Sequence, residues 1–332
     1  MELNAVISRL TFRLARRDRQ DCERFCNLSN SLYARKVDQD YYYWQFFDTP
    51  HPSLLSFVLG PDEKLVGCYG FHLFSLVQQR QCVALALDIM IAPPFQGKGI
   101  FRMLANFAVQ QTQSYNPVAL YVMANSRAKE AHVHGLGWHQ VNVFTDYVCP
   151  TKLASHFLPK AMEFIPCNSF TPEVIDVLKW LDDCRAKRKL FSISRNPRFL
   201  QWRFLRNPRY SYHFFLCKLR GVPYGYLVLK EFRDPLTNSL FGDIVDLYWA
   251  EDDWGAIADM LRFALNYFYR HDVQQATVWL QTNSVLDQVG RDLGFEPTER
   301  QRYLCCKVLD DKYRWLEDRE RWFVTMADSE VY

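Results

Sequence analysis

Two rhythms of apolar residues run along this chain, and their order repeats. Residues 54–59 and 65–74 are apolar runs of strand length, joined by the turn sequence Gly60-Pro61-Asp62. Residues 83–91 form a third such run. From 99 to 113, Ile100, Met103, Leu104 and Phe107 recur at helical spacing. A strand over 118–123, a short helix ending at Gly137-Trp138 and a strand over 141–148 complete the series. The second half predicts the same elements: strands 212–219 and 224–232 about Arg220-Gly221, strand 244–250, then helix 255–270 with Ile257, Leu261, Leu265 and Phe268 on one face. Strand 276–280, a helix ending at Gly294-Phe295 and strand 302–308 follow.

The repetition extends to single residues. Trp44, Phe46 and Pro50 read W-x-F-x-x-x-P, as do Trp202, Phe204 and Pro208, at an offset of 158. Without gaps, that offset also sets Phe57 on Phe215, Gly67 on Gly225, Phe74 on Phe232, Asp88 on Asp246, Gly97 on Gly255 and Asn125 on Asn283. Each half is expected to be a mixed α/β domain. The division is 1–155, 156–309 and a tail over 310–332, with the join in the stretch 150–166 and an opening helix of the second half at 171–181. Trp315, Trp322 and Phe323 among charges predict a docked C-terminal helix for the tail.

Composition narrows the class. Of 332 residues 49% are hydrophobic and 23% charged, enough for two cores. Forty basic against 37 acidic residues leave a net charge of +3, which argues against a polyanion-binding protein, so no nucleic-acid partner is expected. No apolar run approaches the ~20 residues of a membrane span, so no membrane partner is expected either. Arg9, Arg13, Arg16, Arg17 and Arg19 lead into no apolar stretch of the kind a secretory signal has. The ten cysteines form no CxxC pair and read as free thiols, with no metal site, in a cytoplasmic protein.

Chemistry concentrates in 88–101. A strand ends near Ala92, Pro93-Pro94 stops it, and Gln96-Gly97-Lys98-Gly99 opens a helix at Ile100-Phe101. Glycines let a backbone approach a ligand, and a helix N-terminus favours anions, so the segment can cradle a pyrophosphate. It is neither a Walker loop nor a Rossmann fingerprint. The segment resembles motif A of the GNAT acyltransferases, (Gln/Arg)-x-x-Gly-x-(Gly/Ala), with Gln96 first, Gly99 fourth and Phe101 where Gly or Ala is usual. Downstream, Asn125, Ala128, His132 and Gly137-Trp138 resemble that family's Asn, Ala, Tyr and Gly-Phe. The resemblance implies two tandem GNAT-like domains, each a mixed, mostly antiparallel sheet flanked by helices. It also implies acetyl-CoA or another acyl-CoA as co-substrate, with Met90, Ile91, Gln96, Gly97, Lys98, Gly99, Ile100, Phe101 and Asn125 around it.

The halves differ at the loop. Opposite the glycines the second half has Trp254-Gly255-Ala256-Ile257, preceded by Glu251-Asp252-Asp253, and carboxylates there would repel phosphate. One working and one degenerate lobe are expected. If an amine attacks the thioester, a base must take its proton. Asp88 and Glu130 are candidates, as is a water held by Tyr69 or His72. Asp246 in the degenerate half favours a structural role for Asp88, and a side-chain-to-backbone bond would explain Asn125 and Asn283 alike. His132 stands where the family's thiolate-protonating Tyr does, although a surface histidine is the plainer reading. The aromatic cluster Tyr41-Tyr42-Tyr43-Trp44, with Tyr210 and Tyr212 as counterparts, suits either a core or an acceptor pocket. The function expected is N-acetyl transfer to a small amine, with a homodimer possible. The alternatives are a non-catalytic CoA-binding or scaffold protein and an aminoacyl or peptidyl transferase of tandem GNAT fold.

Overall fold

The computed structural model describes residues 9–34, 36–76, 81–156, 162–188, 190–234 and 237–329. The first half runs β1 (Thr11–Leu14), α1 (Arg19–Leu32), α2 (Gln39–Phe46), β2 (Ser53–Leu59), β3 (Leu65–Ser75), β4 (Cys82–Ile91), α3 (Ile100–Thr112), β5 (Ala119–Ala124), α4 (Ser126–Leu136) and β6 (His139–Pro150). The second half runs β7 (Met162–Pro166), α5 (Pro172–Ala186), α6 (Pro197–Leu200), β8 (Tyr212–Leu219), β9 (Val222–Arg233), β10 (Leu240–Trp249), α7 (Trp254–Arg270), β11 (Gln275–Gln281), α8 (Val285–Asp292) and β12 (Glu296–Val308). The expected join includes 157–161, which lie outside the described residues.

The strands form one mixed sheet, in the order β1-β2-β3-β4-β5-β12-β6-β11-β10-β9-β8-β7. Among the described residues only β4–β5 and β10–β11 are parallel strand pairs. One face of the sheet shares a core with α1, α2, α5 and the tail, through Phe25, Trp44, Leu178, Trp202, Leu316 and Trp322. The other face packs on α3 and α4 in the first half, through Ile100, Leu104 and Trp138. In the second half it packs on α7 and α8, through Ile257, Leu261 and Phe295.

The halves exchange their last strands. β12 lies on β5, with Val308 opposite Ala119 and Tyr303 opposite Ala124. β6 lies on β11, with Pro150 opposite Gln275 and Phe144 opposite Gln281. The segments 1–155 and 156–309 are therefore repeats of sequence, each completed by a strand of the other. The exchanged strands both read locally as strands, so no local pattern discloses this partner choice.

The W-x-F motifs meet at the seam between halves. The indoles of Trp44 and Trp202 stack at 4.8 Å and 17°. Each indole N–H donates to the other's backbone carbonyl at 3.0 Å, so residues 158 apart are bonded symmetrically. The Gly67 and Gly225 pair has an equally local cause. A Cβ on Gly67 would lie 2.6 Å from the Met90 carbonyl, and one on Gly225 would lie 2.3 Å from that of Tyr248.

The tail corrects an expectation. It is three short 3-10 turns, Asp311–Glu317, Arg319–Arg321 and Met326–Asp328, rather than a helix. Asp310, Asp318 and Thr325 each turn a side chain onto the N–H of Lys312, Glu320 and Ala327, restarting the chain every few residues. Such local bonds compete with a continuous helical ladder.

Candidate functional site

The site begins where two parallel strands part. β4 pairs with β5 only from Val83 to Leu85. Beyond that, β4 bulges: Gly70 faces Leu87 and Cys68 faces Met90, so Asp88 and Ile89 together oppose Tyr69. Asp88 takes up the bulge with φ 47°, a left-handed conformation that Asp tolerates better than most residues. The splayed edge of β4 carries Met90, buried, and Ile91, half-buried, toward the loop.

The loop keeps the end of α3 open. Gly97 and Gly99 have φ 72° and 78°, and a Cβ on either would meet nothing within 4 Å. Gly99 is the N-cap of α3, and no side chain bonds to the helix's first N–H groups. Unsatisfied N–H donors and the positive end of the helix dipole thus face open space, the arrangement that binds phosphate. Gln96 braces the loop, its amide donating to the Ile91 carbonyl at 2.8 Å and accepting from the Arg127 guanidinium at 2.6 Å. Lys98 bonds the Pro94 carbonyl. Arg127 went unnoticed in the sequence, although it lies two residues past Asn125 and sets a cation beside the cradle. Ile100 is buried beneath the cradle.

The same positions in the second half are closed. Asp253 caps α7 with its own carboxylate, accepting from Ala256 N–H at 3.0 Å. Asp252 binds Arg188 at 2.8 Å and the Trp249 indole at 2.9 Å. The tail roofs the β10–β11 splay, leaving a cavity of about 330 Å³ walled by Trp249, Trp254, Trp279 and Trp322.

The two aspartates matched by the repeat have diverged: Asp88 lies in a bulge, whereas Asp246 is paired with Val228. Asp246 is fully buried and saturated: Tyr226 donates at 2.7 Å, Arg195 at 3.1 Å and Thr325 at 2.8 Å. Asp88 is half-buried, with the neutral side chains of Gln45 and Tyr41 as hydrogen-bond partners. Burial pushes its carboxyl up to about 6, opposed by the Gln45 amide at 3.4 Å, by the charge of Arg209 and by the Tyr41 hydroxyl. The matching letters therefore conceal a carboxylate saturated by Tyr226, Arg195 and Thr325 in one half and one raised by burial in the other.

The expectations for His132 and Glu130 are corrected. His132 is fully buried on the inner face of α4, against Phe101 at 5.5 Å and Trp138 at 4.7 Å. Its Nδ1 meets the Ala128 carbonyl at 2.7 Å, and a carbonyl only accepts, so that nitrogen carries the proton. Nε2 takes the Tyr69 hydroxyl at 2.9 Å, and burial lowers the imidazole's pKa. Neither nitrogen is left for a departing thiolate, and Phe101 serves as packing for this histidine. Glu130 is exposed on the outer face of α4, paired with Lys129 at 2.6 Å and His134 at 3.0 Å, which suits a surface carboxylate and not a base. Asn125 caps α4 through Ala128 N–H at 2.9 Å, while the corresponding cap in the second half is Ser284, one residue past Asn283. Tyr69 is spoken for by His132. His72 is lowered to about 3 by burial and bonds the Gln45 carbonyl, so it stays neutral. Tyr41, Tyr42 and Trp44 are core residues.

Residues 20–138 match the sequence profile of the Acetyltransferase (GNAT) family. Solved structures match nearly end to end. A GCN5-related N-acetyltransferase from Anabaena variabilis aligns at 12% identity with TM-score 0.66, over 90% of this chain and 73% of that one. A tandem GNAT protein from the clavulanic acid biosynthesis pathway aligns at 13% and 0.64, over 90% and 98%. Saccharomyces cerevisiae N-myristoyltransferase aligns at 10% and 0.63, over 90% and 82%. The family match lies within the first half, and the whole chain has the fold of a tandem GNAT protein. No curated protein matches it by sequence. Within this tandem GNAT fold the open cradle belongs to the first lobe alone. Among the described residues no helix is long and apolar enough to cross a membrane, and no cluster of His, Cys, Asp and Glu suits a metal ion.

Proposed function

We propose that the protein is a cytoplasmic acyl-CoA-dependent N-acyltransferase, using acetyl-CoA, that acylates a small amine such as an amino acid or amino sugar. The observation that carries this reading is the uncapped, glycine-opened N-terminus of α3 beside the β4–β5 splay. The pyrophosphate would lie on Gly97–Gly99 and the thioester along Met90 and Ile91, whose splayed backbone can polarise its carbonyl. The acceptor nitrogen attacks the thioester carbon, a C–N bond forms and the C–S bond breaks. The proton goes from the nitrogen to Asp88, and the electron pair leaves with sulfur as thiolate. A carboxylate raised to about 6 is mostly ionised at neutral pH and more basic than an ordinary aspartate. CoA thiolate is a fair leaving group, so the transfer needs no dedicated acid, consistent with a structural His132.

Calorimetry with acetyl-CoA should give one site per chain, and thiol release should depend on an added amine. Gly99→Asp would place a carboxylate in the cradle and should weaken binding by roughly 10–100-fold while the protein stays folded. Two equivalent sites would end the single-cradle assignment. Unchanged affinity in folded Gly99→Asp would move the cofactor elsewhere, and tight binding without amine-dependent thiol release would leave a CoA-binding protein rather than an enzyme.

A further inference from the structure

Resting on the transferase reading, we propose that the acceptor is a small amine that also carries an anionic group, and that Arg209 of the second lobe holds this anion while the amine meets Asp88.

Arg209 follows directly on Pro208 of the second W-x-F-x-x-x-P motif. Its place is fixed from both sides. Asn207 accepts from the backbone N–H of Arg209 at 2.9 Å and of Tyr210 at 3.1 Å, pinning the turn. The guanidinium lies 4.7 Å from the centre of the Tyr41 ring and 5.7 Å from that of Tyr210. This half-buried cation crosses the seam from one lobe onto a helix of the other.

Its hydrogen bonding is far from complete. A guanidinium has five N–H donors. That of Arg209 makes one side-chain hydrogen bond, to the Lys36 carbonyl at 3.3 Å, and no described carboxylate lies within ion-pair distance. Neighbouring cations at the seam are committed. Arg203 donates to the Ser329 carbonyl at 2.7 Å, and Lys230 is paired with Asp243 at 2.8 Å. A guanidinium held within 6 Å of two aromatic rings and short of acceptors is preorganised for a bidentate anion.

Tyr41 links this cation to the reaction. Its ring carries Arg209 on one face, and its hydroxyl bonds the Asp88 carboxyl. Arg209 also bears electrostatically on Asp88. The two groups thus stand about one phenol ring apart with opposite charge, complementary to a molecule with an amine and an anion a few bonds apart. Such a molecule enters the seam as a zwitterion, gives its ammonium proton to solvent, and presents the free amine to Asp88 with its anion on Arg209. The second lobe, closed to CoA, then has a part in choosing the acceptor.

The test uses pairs of acceptors that differ only in the anion. One pair is an amino acid and its carboxamide, the other an amino-sugar phosphate and the free amino sugar. The full-length protein should prefer the anionic member of at least one pair by roughly 10–100-fold in kcat/KM, and the pair with the larger gap tells carboxylate from phosphate. Arg209→Gln should bring that ratio close to one, chiefly through KM of the anionic member. Arg209→Lys should restore part of it, since lysine keeps charge but loses the fork. Calorimetry of the protein loaded with CoA, which has no acetyl group to transfer, gives the same comparison with each pair without turnover. Equal use and equal binding of both members by the wild type would overturn the proposal. So would an equal loss on both members in an Arg209→Gln protein that still binds acetyl-CoA. Failure of the transferase reading looks different, as absence of amine-dependent thiol release.

Discussion

The residue scale is where the two lobes separate most sharply. Asp88 and Asp246 match at the sequence offset of 158, yet Asp246 is paired with Val228 while Asp88 lies in a bulge, where burial raises its carboxyl. Its carboxyl is harder to ionise in the folded chain than in the unfolded one. By linkage the group contributes stability that is fully present below its unfolded value near ~3.9 and is lost as pH rises through about 6. Asp88→Asn should therefore gain thermal stability on wild type between pH 5 and 8. The same variant should lose most acyl transfer, and the wild-type rise of kcat/KM through about pH 6 should vanish with it. Melting curves and rate profiles over that range check both halves of the expectation. A variant that melts earlier than wild type at pH 8 would mean that Asp88 is structural after all. Much of this site was legible beforehand. Gly97, Gly99 and the prolines act through local backbone geometry, which sequence expresses directly. His132 was misread because a +7 spacing from Asn125 names a helix position but not the face it turns inward. Arg209 was missed because its partner Tyr41 lies 168 residues earlier and no spacing rule spans such a distance.

Elements show how the duplicated sequence was put to separate uses. The Trp44–Trp202 stack joins α2 to the turn following α6 with two reciprocal hydrogen bonds. Truncating Trp202 removes a large buried ring and leaves the Trp44 carbonyl without its indole donor. Trp202→Ala should cost about 3–5 kcal/mol, measured by denaturant unfolding. The tail is held otherwise, by charge. Arg195 bridges Asp246 and Asp328 and is wholly buried, so Arg195→Ala leaves two buried carboxylates without their cation. About 3–5 kcal/mol should be lost, and the tail should become the first site of proteolysis. A limited digest that cuts elsewhere first would count against the tail being pinned there. The aromatic residues of 310–332 foretold docking, but their helical reading failed at the competing caps Asp310, Asp318 and Thr325.

For the whole molecule, the exchange of β6 and β12 decides the behaviour. Apart from β1 and β7, strand identity and order along the chain follow from apolar periodicity. The pairing does not, because β5 accepts a strand whose residues begin 172 positions after its own end. With each lobe completed by the other, heating should give one cooperative transition whose calorimetric and van't Hoff enthalpies agree. Two resolved transitions, with the second lobe melting apart from the first, would show that the exchanged strands do not couple the lobes.

The exchange also has a consequence in time. During synthesis β5 emerges early, but the strand that covers its far side is Glu296–Val308 of a 332-residue chain. At ~5–20 residues per second, the edge of β5 waits roughly 10–35 s for its partner. Until then the nascent first lobe offers an unpaired strand to any neighbour, the kind of edge that folded proteins keep covered. A ribosome that stops short of β12 leaves β5 uncovered on the side away from β4, so the strand beside the cradle is fully paired only once the second half has been made.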